Sequence, residues 1–180
     1  MRWWPITRPA SLPCSASRRI EVTLSELYRQ TVDAFAAAGL DAPQEDARHL
    51  VSGVLGLTLT EMVTEGARVI DAVEMQAVAE AVDRRKHREP VYRILGAREF
   101  YGLDFLLSPE TLEPRPDTEI LVEQCLPFLK RRIAETGRAR FVDLGTGTGA
   151  IAITLLSQCP EAVGVATDIS DDALETARGN

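Results

Sequence analysis

The decapeptide FVDLGTGTGA, residues 141 to 150, restricts this chain to few folds. A short apolar run ends in an acid, and glycines follow at 145, 147 and 149. Glycine takes φ > 0 without strain and lets a backbone approach another group closely. Ala150, Ile151, Ile153, Leu155 and Leu156 then give helical content, and an apolar run from Ala162 to Ala166 leads to Asp168. Strand, glycine turn, helix, strand and acid form the opening βαβ unit of a doubly wound α/β sheet, whose crevice lies at the C-terminal ends of the strands.

Three ligands compete for that crevice. A P-loop is excluded, because no Gly-Lys-Ser/Thr follows and the loop holds no lysine for phosphates. A dinucleotide is harder to dismiss: Gly145, Gly147 and Ala150 satisfy G-x-G-x-x-A, and Asp168 is spaced to meet a ribose diol. Asp143 tips the balance toward S-adenosylmethionine. Its carboxylate, two residues before the first glycine, opposes a pyrophosphate but attracts an ammonium. S-adenosylmethionine has an ammonium, a sulfonium and a ribose diol and no phosphate, so Asp143 and Asp168 suit it in charge and spacing. Gly147 and Gly149 would admit it without a Cβ in the way. The plain alternative, in which Asp143 caps the loop and the glycines only make a tight turn, leaves Asp168 unexplained.

Composition narrows the partners. The 180 residues are 45% hydrophobic and 26% charged, which permits one medium domain or two small ones. A net charge of -7 argues against a protein that grips nucleic-acid backbone, which needs clustered Lys and Arg. Cys14, Cys125 and Cys159 are too scattered for a zinc knuckle or a disulfide framework and fit a reducing compartment. No run reaches the roughly 18 apolar residues of a membrane span. Residues 1–20 hold four arginines and no acid, as in a mitochondrial transit peptide, but Pro5, Pro9 and Pro13 oppose the helix such a peptide needs. A disordered tail and a cytoplasmic protein are expected.

Upstream of the glycine turn the chain reads as helices. Thr23-x-x-Glu26 is a capping box, Leu24, Leu27, Tyr28, Val32 and Phe35 share a face, and Gly39 supplies the stop. Pro43 opens a second helix with Ala47, Leu50, Val51, Val54 and Leu55 inward, closed by Gly56. Thr58-x-x-Glu61 opens a short third, and Asp71-x-x-Glu74 a fourth with Val73, Ala77, Val78, Ala81 and Val82 inward, stopped before Pro90. His49 reads as a half-buried structural histidine, since no second ligand stands three or four residues away. The basic run from Arg84 to Arg88 reads as a solvated face complementing the helix dipole.

After Pro90 the pattern changes. VYRIL, Gly96 and REFYGLDFLLS predict a β-hairpin with glycine at both turns. Pro114 and Pro116 hold Arg115 extended, Asp117 or Thr118 caps a helix carrying Ile120, Leu121, Cys125, Phe128 and Leu129, and Pro127 kinks or breaks it. The expected organisation is a tail at 1–20, a helical bundle at 21–89, a hairpin linker at 90–113 and the first part of a Rossmann-like domain at 114–180.

ILGAREFYGLDF, TLEPRPDTEILVE, FVDLGTGTGAIAI and TDISDDALETARGN, in that order, resemble the HemK/PrmC family of protein-(glutamine-N5) methyltransferases that act on peptide chain release factors. The resemblance runs from about Leu24 to Asn180. It implies a bundle that helps recognise the release factor and a Rossmann-like domain for S-adenosylmethionine. By position it makes Gly145, Thr146, Gly147, Thr148 and Gly149 the cofactor loop and Asp168 the ribose acid, and puts Arg115, Thr118, Glu119 and Phe100 beside the pocket. Local roles compete for these last four: an Arg115–Glu119 pair, a Thr118 cap, a Phe100 core position. The family's Asn-Pro-Pro-Tyr motif, which holds the substrate amide, is absent from this chain. An amide nitrogen is a weak nucleophile that depends on such orientation, so the 180 residues alone are expected to be catalytically incomplete, with a sheet edge and an apolar face exposed. A monomer with a protein substrate is expected. The rival expectations are an NAD-linked oxidoreductase and a non-catalytic release-factor-binding fragment.

Overall fold

A computed structural model describes residues 21–180; the expected tail at 1–20 and Cys14 lie outside the described residues. Four helices form the first body: α1 (Leu24–Ala37), α2 (Pro43–Leu55), α3 (Leu59–Thr64) and α4 (Ala72–Lys86). Their starts follow the local chemistry of the sequence. Thr23, Thr58 and Asp71 each accept from the N3 backbone while Glu26, Glu61 and Glu74 reach back to the cap, which satisfies orphan donors in the first turn. Gly56 ends α2 in the left-handed conformation.

Two apolar clusters hold these helices together. Phe35, Leu40, Ala47, Leu50, Ala81 and Val91 form one, and Leu24, Leu27, Val51, Ile70 and Val78 the other. Val73 and Ala77 do not join them: Val73 is 78% exposed, and Ala77 also faces out. At about 100° per residue the two lie about 140° and 100° round α4 from Val78, so the inward stripe is narrower than the apolar pattern implied. The basic run is more than the expected solvated face, because it also ties α4 to the earlier helices. Arg84 pairs with Glu89, Arg85 with Asp46 at 2.9 Å and Lys86 with Asp83 at 3.5 Å, while Arg88 donates to the Ala38 carbonyl.

VYRIL is not a strand. Val91–Leu95 forms a short helix, α5, stopped by Gly96 at φ 74. Val91 packs into the bundle core, and that burial outweighs the β preference of the branched residues. The hairpin begins only at β1 (Ala97–Phe100), turns at Tyr101-Gly102, where both φ values are positive, and returns as β2 (Leu103–Leu106). Phe100 and Phe105 meet edge to face at 6.2 Å and join the core of the second body, so the hairpin is packed against that domain.

Arg115 is extended as expected (φ -105, ψ 141), but neither Asp117 nor Thr118 caps the next helix through its side chain. A 3₁₀ turn at Pro116–Thr118 leads directly into α6 (Glu119–Thr136), which runs through Pro127 unbroken. Ile120, Leu121 and Phe128 are exposed; the buried face is Val122, Leu126 and Leu129. Proline in a helix costs about 3 kcal/mol, whereas burying each of three large apolar side chains contributes about 1.5–3 kcal/mol. Pro127 and Glu123, whose carbonyl loses its partner, both face solvent.

β3 (Ala139–Leu144) and β4 (Ala162–Thr167) pair in parallel, with Ala139 opposite Ala162 and Leu144 opposite Thr167, through α7 (Ala150–Gln158); α8 (Asp171–Gly179) follows. Val142, Leu144, Val163 and Val165 are each more than half exposed, the open apolar surface that the sequence led us to expect. No helix of the described residues is long and apolar enough to cross a membrane.

Two outcomes follow. Asp71→Ala removes the acceptor for the Val73 and Glu74 amides, at 2.8 and 2.9 Å, and should lower unfolding free energy in urea by about 1 kcal/mol. His49 lies half-buried with its ring 5.8 Å from that of Tyr92, and burial, ahead of the charge of Arg48, holds its pKa below the ordinary value. The folded state then binds the proton less readily than the unfolded chain, so stability is lost as pH falls through about 6.5. Urea midpoints between about pH 7.5 and about pH 5.5 should show this slope, and His49→Gln should flatten it.

Candidate functional site

The loop between β3 and α7 is built on three positive φ values: Gly145 at 74°, Gly147 at 56° and Gly149 at 81°. The Gly145 and Thr146 amides both donate to the Thr167 carbonyl, at 2.8 and 2.9 Å, which ties the loop to the end of the neighbouring strand. A Cβ on Gly145 or Gly147 would meet nothing within 4 Å. At Gly149 it would come within 2.8 Å of Ile153 Cδ1 and 3.1 Å of Ala177 Cβ. Gly149 therefore lets α8 close on the start of α7, whereas Gly145 and Gly147 present backbone to open space.

Asp168, just past β4, faces this loop. Its Oδ2 accepts from the Gly147 amide at 2.8 Å and its Oδ1 from the Ser170 amide at 3.1 Å. These two hydrogen bonds, Gly147 first, pull its pKa below the usual carboxylate value. A carboxylate offers about four acceptor positions, so two remain for donors from outside the chain. Asp143 is engaged differently. Its Oδ2 accepts from the Thr146 hydroxyl at 2.7 Å, and it lines an apolar cavity of ≈ 350 Å³ beneath α6 with Cys125, Phe128 and Phe141.

A smaller cavity of ≈ 200 Å³ joins most of the remaining candidates. Gly145, Thr146, Gly147 and Thr148 form one wall, and Phe100, Pro114, Arg115 and Thr118 stand in the other. Phe100 is 1% exposed, so its ring is both core and wall. Thr118 does not act as a cap, and among the described residues Arg115 makes no ion pair. Glu119 does not line this cavity; its Oε1 accepts from the Tyr101 amide at 3.0 Å and pins the hairpin turn. Among the described residues no cluster of His, Cys, Asp and Glu is arranged to hold a metal.

Asn180 carries a role that the motifs did not reveal. Its amide accepts from Leu106 N at 2.8 Å and donates to Leu106 O at 3.2 Å, as a strand would, and also donates to Thr148 O at 3.0 Å. The end of α8 thus clamps β2 to the glycine loop. No local pattern signals a contact over 74 residues; an Asn after a helical run is the only cue.

Residues 119–180 match the model of the methyltransferase small domain, and residues 26–96 that of the PrmC N-terminal domain. A release factor glutamine methyltransferase of Agrobacterium fabrum is 53% identical over 80% of this chain and 50% of its own length. One of Bradyrhizobium diazoefficiens is 47% identical, covering 86% and 52%, and one of Nitratidesulfovibrio vulgaris 38% identical, covering 93% and 54%. The fold and the loop define the class: a helical bundle joined to the start of a Rossmann-like methyltransferase domain. Over the residues it contains, the chain belongs to the HemK/PrmC family. It spans about half the length of these curated relatives.

Asp168→Ala should speed amide hydrogen exchange at Gly147 and Ser170, read by NMR, while the capping amides of α1 keep their protection. Acid should have the same effect. Because the folded pKa is depressed, the stabilisation is complete above about pH 4 and is lost as pH falls through the lower folded value.

Proposed function

We propose that these residues bind S-adenosylmethionine, and that the encoded activity is methyl transfer from it to the side-chain amide of a glutamine in a peptide chain release factor, in a Gly-Gly-Gln loop. The observation that carries the reading is the pairing of side-chain-free backbone at Gly145 and Gly147 with an acid, Asp168, that keeps acceptor capacity. It is supported by family membership and by the relatives' names.

The residues fit the cofactor's groups. Asp168 would accept from the ribose hydroxyls, and the Gly145–Gly149 backbone would lie along the nucleoside. Arg115 would offer its guanidinium to the methionyl carboxylate, and Asp143, which lines the neighbouring cavity, would draw the ammonium through water. Thr118 and Phe100 would close the wall, and Glu119 would act through the hairpin turn. When bound, the cofactor supplies an electrophilic methyl group on a sulfonium. The chain's part is orientation: displacement at that carbon needs the amide nitrogen in line, and a rigid pocket fixes one of the two reactants. The bundle would dock the release factor, the site lies within a single chain, and a release-factor substrate would put the reaction in the cytoplasm.

Calorimetry and thermal unfolding with S-adenosylhomocysteine and with NADH test the reading. A ligand that binds only the folded form raises the midpoint, so S-adenosylhomocysteine should raise it and NADH should not. Asp168→Ala should weaken uptake about ten- to a hundredfold, as expected for a lost charged acceptor. Stabilisation by NADH alone would replace methyl transfer with the oxidoreductase reading.

A further inference from the structure

We propose that Arg93 is a positioning residue for the ≈ 200 Å³ cavity: planted in the helical bundle, its guanidinium sets the wall that faces the glycine loop. This rests on the reading of that cavity as the cofactor site. Arg93 lies on α5, which Val91 seats in the bundle core and Gly96 ends. Its Nη1 donates to the Ser108 carbonyl and its Nη2 to the Thr111 carbonyl. One planar fork thus grips both ends of a turn, which a lysine ammonium cannot reproduce with the same geometry.

The turn is tight in its own right. Thr111 is 2% exposed, and its hydroxyl accepts from Ser108 N at 2.9 Å and donates to Ser108 O at 3.0 Å. The chain then passes directly into Leu112, Glu113, Pro114 and Arg115, all four of which line the cavity. Glu113 lies between two cations, with Arg93 Nε at 3.7 Å from one carboxylate oxygen and Arg98 Nη1 at 3.2 Å from the other. Its side chain is only 8% exposed, so removing a partner leaves a buried charge poorly compensated. From the other side Asp172, near the start of α8, accepts from the Ser108 hydroxyl and from Glu110 N at 3.3 Å. The wall is therefore held by the bundle, through Arg93, by the hairpin, through Arg98 on β1, and by α8, which begins three residues after Asp168. A bundle displaced relative to the second body would move Pro114 and Arg115 and alter the cavity without touching the glycine loop.

The test compares the full chain with Arg93→Lys and Arg93→Gln, by calorimetry with S-adenosylhomocysteine, amide hydrogen exchange and thermal midpoint. Exchange at Leu112, Glu113 and Arg115 should quicken in both variants, and affinity should fall about tenfold in both. Arg93→Lys, which keeps the charge beside Glu113, should retain more of the midpoint than Arg93→Gln, so that affinity and stability separate. Should Arg93→Gln fail to fold, Arg93→Lys carries the comparison. Wild-type affinity, or wild-type exchange at 112–115, in Arg93→Lys overturns the role of the fork. No uptake by the unsubstituted chain instead overturns the cofactor reading on which it rests.

Discussion

The hydrogen bond from the Gly147 amide to the Asp168 carboxylate, with the two donated to Thr167, decides where everything else in the second body can go. These bonds bend the chain back over the end of its parallel neighbour at φ values that side chains resist, and only glycine meets that demand cheaply. Once the loop is so held, α7 starts where it must, Gly149 allows Ala177 to approach, and α8 is carried far enough for Asn180 to reach Thr148 and Leu106. The same carboxylate organises the loop and keeps unused acceptor positions.

The hairpin gives the molecule its connection between bodies. Its aromatic pair belongs to the core of the second domain, its tip is pinned by Glu119, its edge by Asn180, and its exit by Arg93 from the first body and Arg98 from its own β1. Surface ion pairs of this kind contribute little when fully exposed, but Glu113 and Arg98 are largely withdrawn from water, where the loss of one partner is felt. The cavity wall is thus a product of long-range contacts, with almost no local preference of its own beyond the two prolines that flank Arg115.

Helix starts were legible residue by residue. The three capping boxes at Thr23, Thr58 and Asp71, the first-turn Pro43 and the stops at Gly39 and Gly56 depend on groups within four residues of one another, which a sequence displays directly. The parallel strands and the glycine turn were equally open to reading, since their apolar runs, glycines and terminal acid are contiguous. Which face of a helix is buried was less legible. Val73, Ala77, Ile120, Leu121 and Phe128 are apolar yet face outward, because facing helices and strands cover only part of each apolar stripe.

The misread segments share one cause. VYRIL has β-favouring residues and becomes helical because Val91 finds the bundle core; Pro127 should break α6 and does not, because Val122, Leu126 and Leu129 are buried on either side of it. Burial against distant residues exceeds a local propensity of a few tenths to about 3 kcal/mol. The sequence by itself therefore determined the caps, the strand–turn–strand order and the chemistry of the loop, all of which rest on neighbours along the chain. Only the tertiary structure decided that Glu119 holds a turn, that Asn180 clamps the loop and that Arg93 shapes the cavity, because their partners lie 15 to 74 residues away and meet them only once the cores have closed.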